Sequence, residues 1–198
     1  MNPPAFVIAL EGHEHSQAMA KDCLSSADNF GWSISISNAV NGLTITDADW
    51  DNNGIQKILN VPMDRPGFQG CFFSHWNLWN YCIEIDSPIV ICEHDAVFLG
   101  EWHNSLLTNR LTKLHVKYKS KPNWLALHPE VGIWTPSAHA YIIYPADCKK
   151  IKKFVLENHA LPPDVLIGTN IVEYEHLSST LVDRNSGRIS TTANLEKE

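Results

Sequence analysis

Glu93 and Asp95 stand two residues apart, directly after the apolar run Ile89-Val90-Ile91-Cys92, with His94 between them. If the chain stays extended past Cys92, both carboxylates project to the same side. Ligands of open α/β sheets gather outside the carboxyl ends of the strands, where such a trio would sit. Hard oxygen donors of this type suit Mg2+ or Mn2+ bridging a diphosphate. The same residues also suit a turn cap or an ion pair, so the Glu-x-Asp spacing alone does not choose. Ser74 and His75 lie near the start of a strongly apolar helix, where unpaired backbone N–H groups favour phosphate. A core histidine satisfied by its neighbours is the competing account of His75. His139, and His176 as a third metal ligand, carry less weight, because the chain has 10 histidines.

The elements that must position these residues read as alternating strands and helices. Ala5 to Leu10 is a short apolar run bounded by Pro4 and Glu11-Gly12, which suits a strand buried on both faces. Helical spacing follows over about 15–30, with Gly31 at its end, and then period-two alternation from Trp32 to Ser37. Strand, helix and strand in succession predict an α/β fold. From Asn41 to Gln69, Gly, Pro, Asp and Asn predict an irregular binding loop with one short helix near 54–59. A helix over about 70–85 is apolar around most of its circumference and is expected against the sheet. Further expectations are an amphipathic helix over 102–114, strands over 124–127 and 140–144, and a helix opened by Pro145 that runs to about Glu157. The whole chain, 1–198, reads as one domain with its core over about 5–180 and a polar, frayed tail over 186–198.

Composition weighs against some partner classes without excluding nucleic acid. The net charge is −7, and the one basic cluster, Lys149-Lys150-Ile151-Lys152-Lys153, suits a solvated helix face. Duplex binding draws on a basic stripe, so nucleic acid is disfavoured as partner. No stretch approaches the ~20 apolar residues of a membrane span. Five cysteines, odd in number and without a Cys-x-x-Cys pair, read as reduced thiols in a cytoplasmic protein. Core packing accounts for most of the 7 tryptophans, although indoles also stack on sugars and bases.

Gly70-Cys71, Ser74-His75 and Trp79, leading into Ile89-Val90-Ile91-Cys92-Glu93-His94-Asp95, resemble the central signature of family-25 glycosyltransferases, the lipooligosaccharide and collagen-modifying sugar transferases. Val7-Ile8-Ala9-Leu10 resembles the family's opening strand, and Asn38-Ala39-Val40-Asn41-Gly42 resembles the segment after its second strand. Ala138 to Ile143, Ala146, Lys149-Lys150 and Pro163-Asp164 continue the ordered similarity to about residue 180. Two departures stand out: His94 replaces the middle acid of Glu-Asp-Asp, and Glu11 to Ser16 lacks the arginine found after the first strand in the family.

The resemblance implies a GT-A-like nucleotide-binding domain, with a mixed, mainly parallel sheet flanked by helices. It implies a metal-dependent, inverting transfer of a sugar from a nucleotide-sugar, UDP-sugar favoured, to an acceptor hydroxyl, a saccharide by default. Leu10, Glu11, Asn41, Gly42, Ser74, His75 and His139 would contact the donor. Glu93, Asp95 and His176 would hold Mn2+ or Mg2+, and Asp164 would be the base, unless it caps the helix after Pro162-Pro163. The alternatives are an inactive nucleotide- or carbohydrate-binding relative and a transferase acting on a hydroxylated nucleobase.

Overall fold

The computed structural model describes residues 2–57, 63–115, 126–128, 131–134 and 138–184. Its strands are β1 (Ala5–Ala9), β2 (Ile34–Asn38), β3 (Ile89–Glu93), β4 (Ala96–Phe98), β5 (Leu111–Lys113), β6 (Ala126–His128), β7 (Gly132–Trp134), β8 (Ala140–Ile143), β9 (Tyr174–His176) and β10 (Val182–Arg184). Its helices are α1 (Glu14–Asp28), α2 (Asp47–Asn52), α3 (Pro66–Glu84), α4 (Pro145–Glu157) and the single turn α5 (Pro163–Leu166). The central sheet runs β2-β1-β3-β8-β5-β9. The pairs β2-β1, β1-β3 and β5-β9 are parallel, whereas β8 is antiparallel to both of its neighbours. The mixed, mainly parallel α/β sheet expected from the sequence is therefore present.

Alternation along β3 divides the core between the two sheet faces. Ile89 and Ile91 join Phe72, Trp76 and Trp79 of α3 and Ile151 and Val155 of α4. Val90 and Cys92 join Ala20, Cys23 and Ala27 of α1 on the other face. By the same period, Glu93 leaves β3 on the α3 face and His94 on the α1 face. β8 repeats the pattern, with Tyr141 and Ile143 towards α3 and Ala140 and Ile142 towards α1.

Two glycines let α3 approach the end of β2. A Cβ on Gly42 would lie 1.8 Å from the Pro66 carbonyl oxygen, and one on Gly70 would lie 2.6 Å from that of Val40. Ser74 Oγ completes the junction, donating to the Gly70 carbonyl at 2.6 Å and accepting from the Val40 N–H at 2.9 Å. Gly42→Ala is therefore expected to cost about 1–3 kcal/mol, the usual penalty of forcing a packed junction apart. A urea-unfolding midpoint unchanged from wild type would disprove this close approach.

Several expectations are corrected. Residues 102–114 form no long helix: a 3-10 turn at Asn104–Leu106 precedes β5, whose three residues are all buried. Helical periodicity there was an accident of a strand buried on both faces, where polar residues also point inward. The short helix of the irregular region is α2, at 47–52; of the expected 54–59, residues 54–57 are not helical and 58–59 lie outside the described residues. Thr46 and Asp49 form its capping box, and Gly54, at φ +67°, follows its end. Those same Asp and Asn residues read as turn formers in the sequence. β7, β9 and β10 were not anticipated, because three-residue strands carry almost no periodic signal. The expected strand over 124–127 is β6; residues 124 and 125 lie outside the described residues, as does the 186–198 tail. All five cysteines are free, four of them buried. Among the described residues, no helix is long and apolar enough to cross a membrane.

Candidate active site

One row of side chains crosses the sheet on the α3 face. The register places Ile91 opposite Tyr141, Tyr141 opposite Lys113, and Lys113 opposite His176. One step along β3, the Glu93 N–H donates to the His139 carbonyl at 2.8 Å. Directly opposed residues of paired strands share a face, so the register lines up Ile91, Tyr141, Lys113 and His176 across four strands, and Glu93 emerges two residues further along β3 on that same face.

Tyr141 is fully buried and its hydroxyl is shared. Trp79 Nε1 donates to it at 3.0 Å, and His75 Nδ1 exchanges a hydrogen bond with it at 2.7 Å. The His75 ring lies parallel to that of Tyr141, with centroids 5.8 Å apart. Burial drives the His75 pKa down to about 3, so the ring is neutral at physiological pH. Its Nε2 is buried without a hydrogen-bond partner.

The acids converge from separate elements. Burial, then the charge of Asp95, pushes Glu93 up to about 7, against the pull of Arg184; Asp164 adds to the rise. Asp164 is itself raised by burial and drawn down by Lys113, by the backbone N–H groups of Val165 and Asp164, and by Arg184. These mutual effects place Glu93, Asp95, Asp164, Lys113 and Arg184 in one electrostatic neighbourhood. Asp95 pairs with Arg184 of β10 at 2.5 Å; its side chain is 8% exposed and that of Arg184 51%. Asp95 Oδ1 is buried without a hydrogen-bond partner. Lys113 is fully buried, with Nζ 4.7 Å from the centre of the Tyr174 ring, and burial lowers its pKa to about 7.

The raised Glu93 pKa carries a pH signature. In the unfolded chain a glutamate ionises near about 4.3. Between that value and about 7 the native state holds the extra proton, so this residue makes stability fall as pH rises. Glu93→Gln, assayed in chelator, is expected to raise Tm relative to wild type at pH 8, with the gain disappearing by pH 4–5. A gain that is the same at both pH values would show that Glu93 bears no such burden.

The other expected site residues take varied places. Leu10 is bound through its backbone to α1: its N–H donates to Ser16 Oγ and its carbonyl accepts from Gln17 Nε2, both at 2.9 Å. Glu11 Oε2 accepts from Asn38 Nδ2 at 3.1 Å, and Asn41 Oδ1 accepts from the Leu43 N–H at 3.0 Å. Asp164 is not an N-cap: Pro162 holds that position, and Asp164 lies in the first turn of α5. His94 feels Asp95, His15, Arg184 and His13, which puts it beside the start of α1. His139 and His176 both pack on His115, at ring separations of 4.5 and 5.0 Å, and His176 Nδ1 faces the His115 carbonyl at 3.1 Å.

Among the described residues, one group gathers metal-ligating atoms within 4.8 Å of one another: Cys71, His75 and Glu93. It contains neither Asp95 nor His176. Lys113, Tyr141 and Arg184 were missed by sequence reasoning. Nothing local marks them: each is brought in by strand register, and Arg184 lies 89 residues from its partner.

A cluster of buried and half-buried acids, one of them a raised glutamate, with two basic side chains at a sheet end suits the binding of a charged ligand and the movement of a proton. No curated protein matches the chain. A solved structure described as a glycosyltransferase involved in the glycosylation of the major capsid of PBCV-1 is similar over 78% of this chain, at 9% identity and a TM-score of 0.35. The chain spans 66% of the length of that protein. The family model described as glycosyltransferase family 25 (LPS biosynthesis protein) matches residues 2–129, a span that includes α3 and the Glu93–Asp95 strand end but stops short of Asp164 and Arg184. With well over half of its residues matched, the chain belongs to glycosyltransferase family 25.

Proposed function

We propose that the chain transfers a sugar from a nucleotide-sugar donor to an acceptor hydroxyl, with inversion, at the Glu93–Asp95–Asp164 cluster. The observation that carries this reading is the convergence of three carboxylates from β3, the turn after it and α5, in a chain of this family. Glycosyl transfer needs a base for the acceptor proton and charge neutralisation for the departing diphosphate. Asp164 suits the first task, because burial raises its pKa towards the working pH while Lys113 keeps it ionisable. Glu93 and Asp95 suit the second as holders of a divalent cation, which would act as a Lewis acid on the diphosphate. The fit rests on their oxygen donors and on Asp95 Oδ1, buried without a partner. UDP-sugar is the favoured donor and a saccharide the favoured acceptor.

A second reading follows from the Asp95–Arg184 pair. Arg184 and Lys113 already bring two cationic side chains to the cluster, so they could neutralise the diphosphate themselves. The test is slow hydrolysis of a panel of nucleotide-sugars, with Mn2+ and with EDTA. Hydrolysis that requires Mn2+ supports the first reading, and hydrolysis unaffected by EDTA the second. No hydrolysis, and no nucleotide binding by calorimetry under either condition, would overturn both.

A further inference from the structure

Cys71 and His75 are four residues apart on α3, so they share one face of that helix one turn apart. That face meets the end of β3, where Glu93 emerges on the same side of the sheet. The ligand-capable atoms of the three side chains lie within 4.8 Å of one another. The set is a thiol, an imidazole and a carboxylate, which is not the oxygen set of a Mg2+ or Mn2+ site. Thiolate and imidazole donors select borderline-soft ions, zinc above all in a tetrahedral arrangement.

His75 supplies the independent observation. It is 1% exposed, and its Nε2 has no hydrogen-bond partner. Buried polar atoms are almost always satisfied, so an orphan beside two further ligands calls for an explanation. Nδ1, in contrast, is held by the Tyr141 hydroxyl, which Trp79 holds in turn. Metal-bound histidines characteristically donate their second N–H to an outer partner that fixes the ring. With an ion on Nε2, the Nδ1–H would donate to Tyr141 Oη, giving that arrangement without moving the ring.

We propose that Cys71 Sγ, His75 Nε2 and a Glu93 oxygen form a three-ligand site for a zinc-class divalent cation, which shares only Glu93 with the oxygen-donor pair at Glu93 and Asp95. Three protein ligands leave a fourth tetrahedral position for water or a substrate oxygen. Glu93 belongs to both groups. On the transferase reading above, a zinc-class ion therefore draws Glu93 away from Asp95 and opposes the diphosphate cation, so zinc inhibits rather than supports transfer.

The probe is Co2+, whose thiolate charge-transfer absorption in the near ultraviolet reports a sulfur ligand, followed by displacement with Zn2+. Wild type is expected to take up one Co2+ with this band and to lose it stoichiometrically to Zn2+. Cys71→Ala should lose the band and bind Zn2+ at least 10-fold more weakly, and Cys71→Ser should lose the band while keeping part of the affinity. Near-ultraviolet circular dichroism of both variants reports that the fold is intact. Glu93→Gln should keep the band and weaken Zn2+ binding. Absence of the band in wild type, or its survival in Cys71→Ala, overturns the site. These spectra need no nucleotide-sugar, so a failed transferase reading would leave their result standing, and the reverse.

Discussion

Asp164→Asn is expected to lower the rate of sugar transfer by about 10²–10⁴-fold, the usual contribution of a general base, while donor affinity stays within a few-fold of wild type. The two side chains have the same shape, so α5 keeps its packing through Val165 and Leu166, both buried in the core. What is removed is the negative charge and, with it, the capacity to take a proton. Asp164 faces Lys113, whose pKa burial has already lowered to about 7. Removing the carboxylate takes away a charge that raises the lysine, so the Lys113 pKa falls further. The measurement is transfer rate and donor dissociation constant side by side. Parallel losses in both would assign Asp164 a structural role and remove it as the base.

Asp95→Ala is expected to abolish cation-dependent nucleotide binding. Even loss of an outer-shell partner of a bound metal typically costs 10–100-fold, and a direct ligand should cost more. The fold should survive. Arg184 has its side chain 51% exposed and keeps access to water, so the substitution strands no charge in the core. Calorimetry with and without Mn2+ decides the matter, with Tm as the control. Unchanged Mn2+-dependent binding would move the cation away from Asp95. Binding that becomes stronger and cation-independent would instead point to a released Arg184 gripping the diphosphate.

His94 and the arginine missing after β1 look different once the chain is folded. His94 leaves β3 on the face opposite Glu93 and lies towards α1 with His13 and His15, so it meets the cluster from the α1 side, through Asp95 and Arg184. A guanidinium does reach the cluster, that of Arg184, from the opposite end of the described chain. Its origin in β10, paired with β4, could not be read locally, because Val182–Arg184 is too short to show a period.

What the sequence determined by itself was the part of the protein that depends on near neighbours. The apolar run before Glu93, the helix spacing of α3 and α4, the Pro-opened α4 and the strand-helix-strand start are consequences of local periodicity and sterics, so they could be read directly. The ordered Gly-Cys, Ser-His and Glu-x-Asp segments named the family for the same reason. Tertiary structure alone decided which side chains meet. A one-residue change of register moves a side chain to the other face of a sheet, and no local signal sets the register between β3, β8 and β5. That register put Tyr141 and Lys113 on the face from which Glu93 emerges, and the packing around that strand end gave Glu93 two different sets of partners: Asp95 with Asp164, and Cys71 with His75.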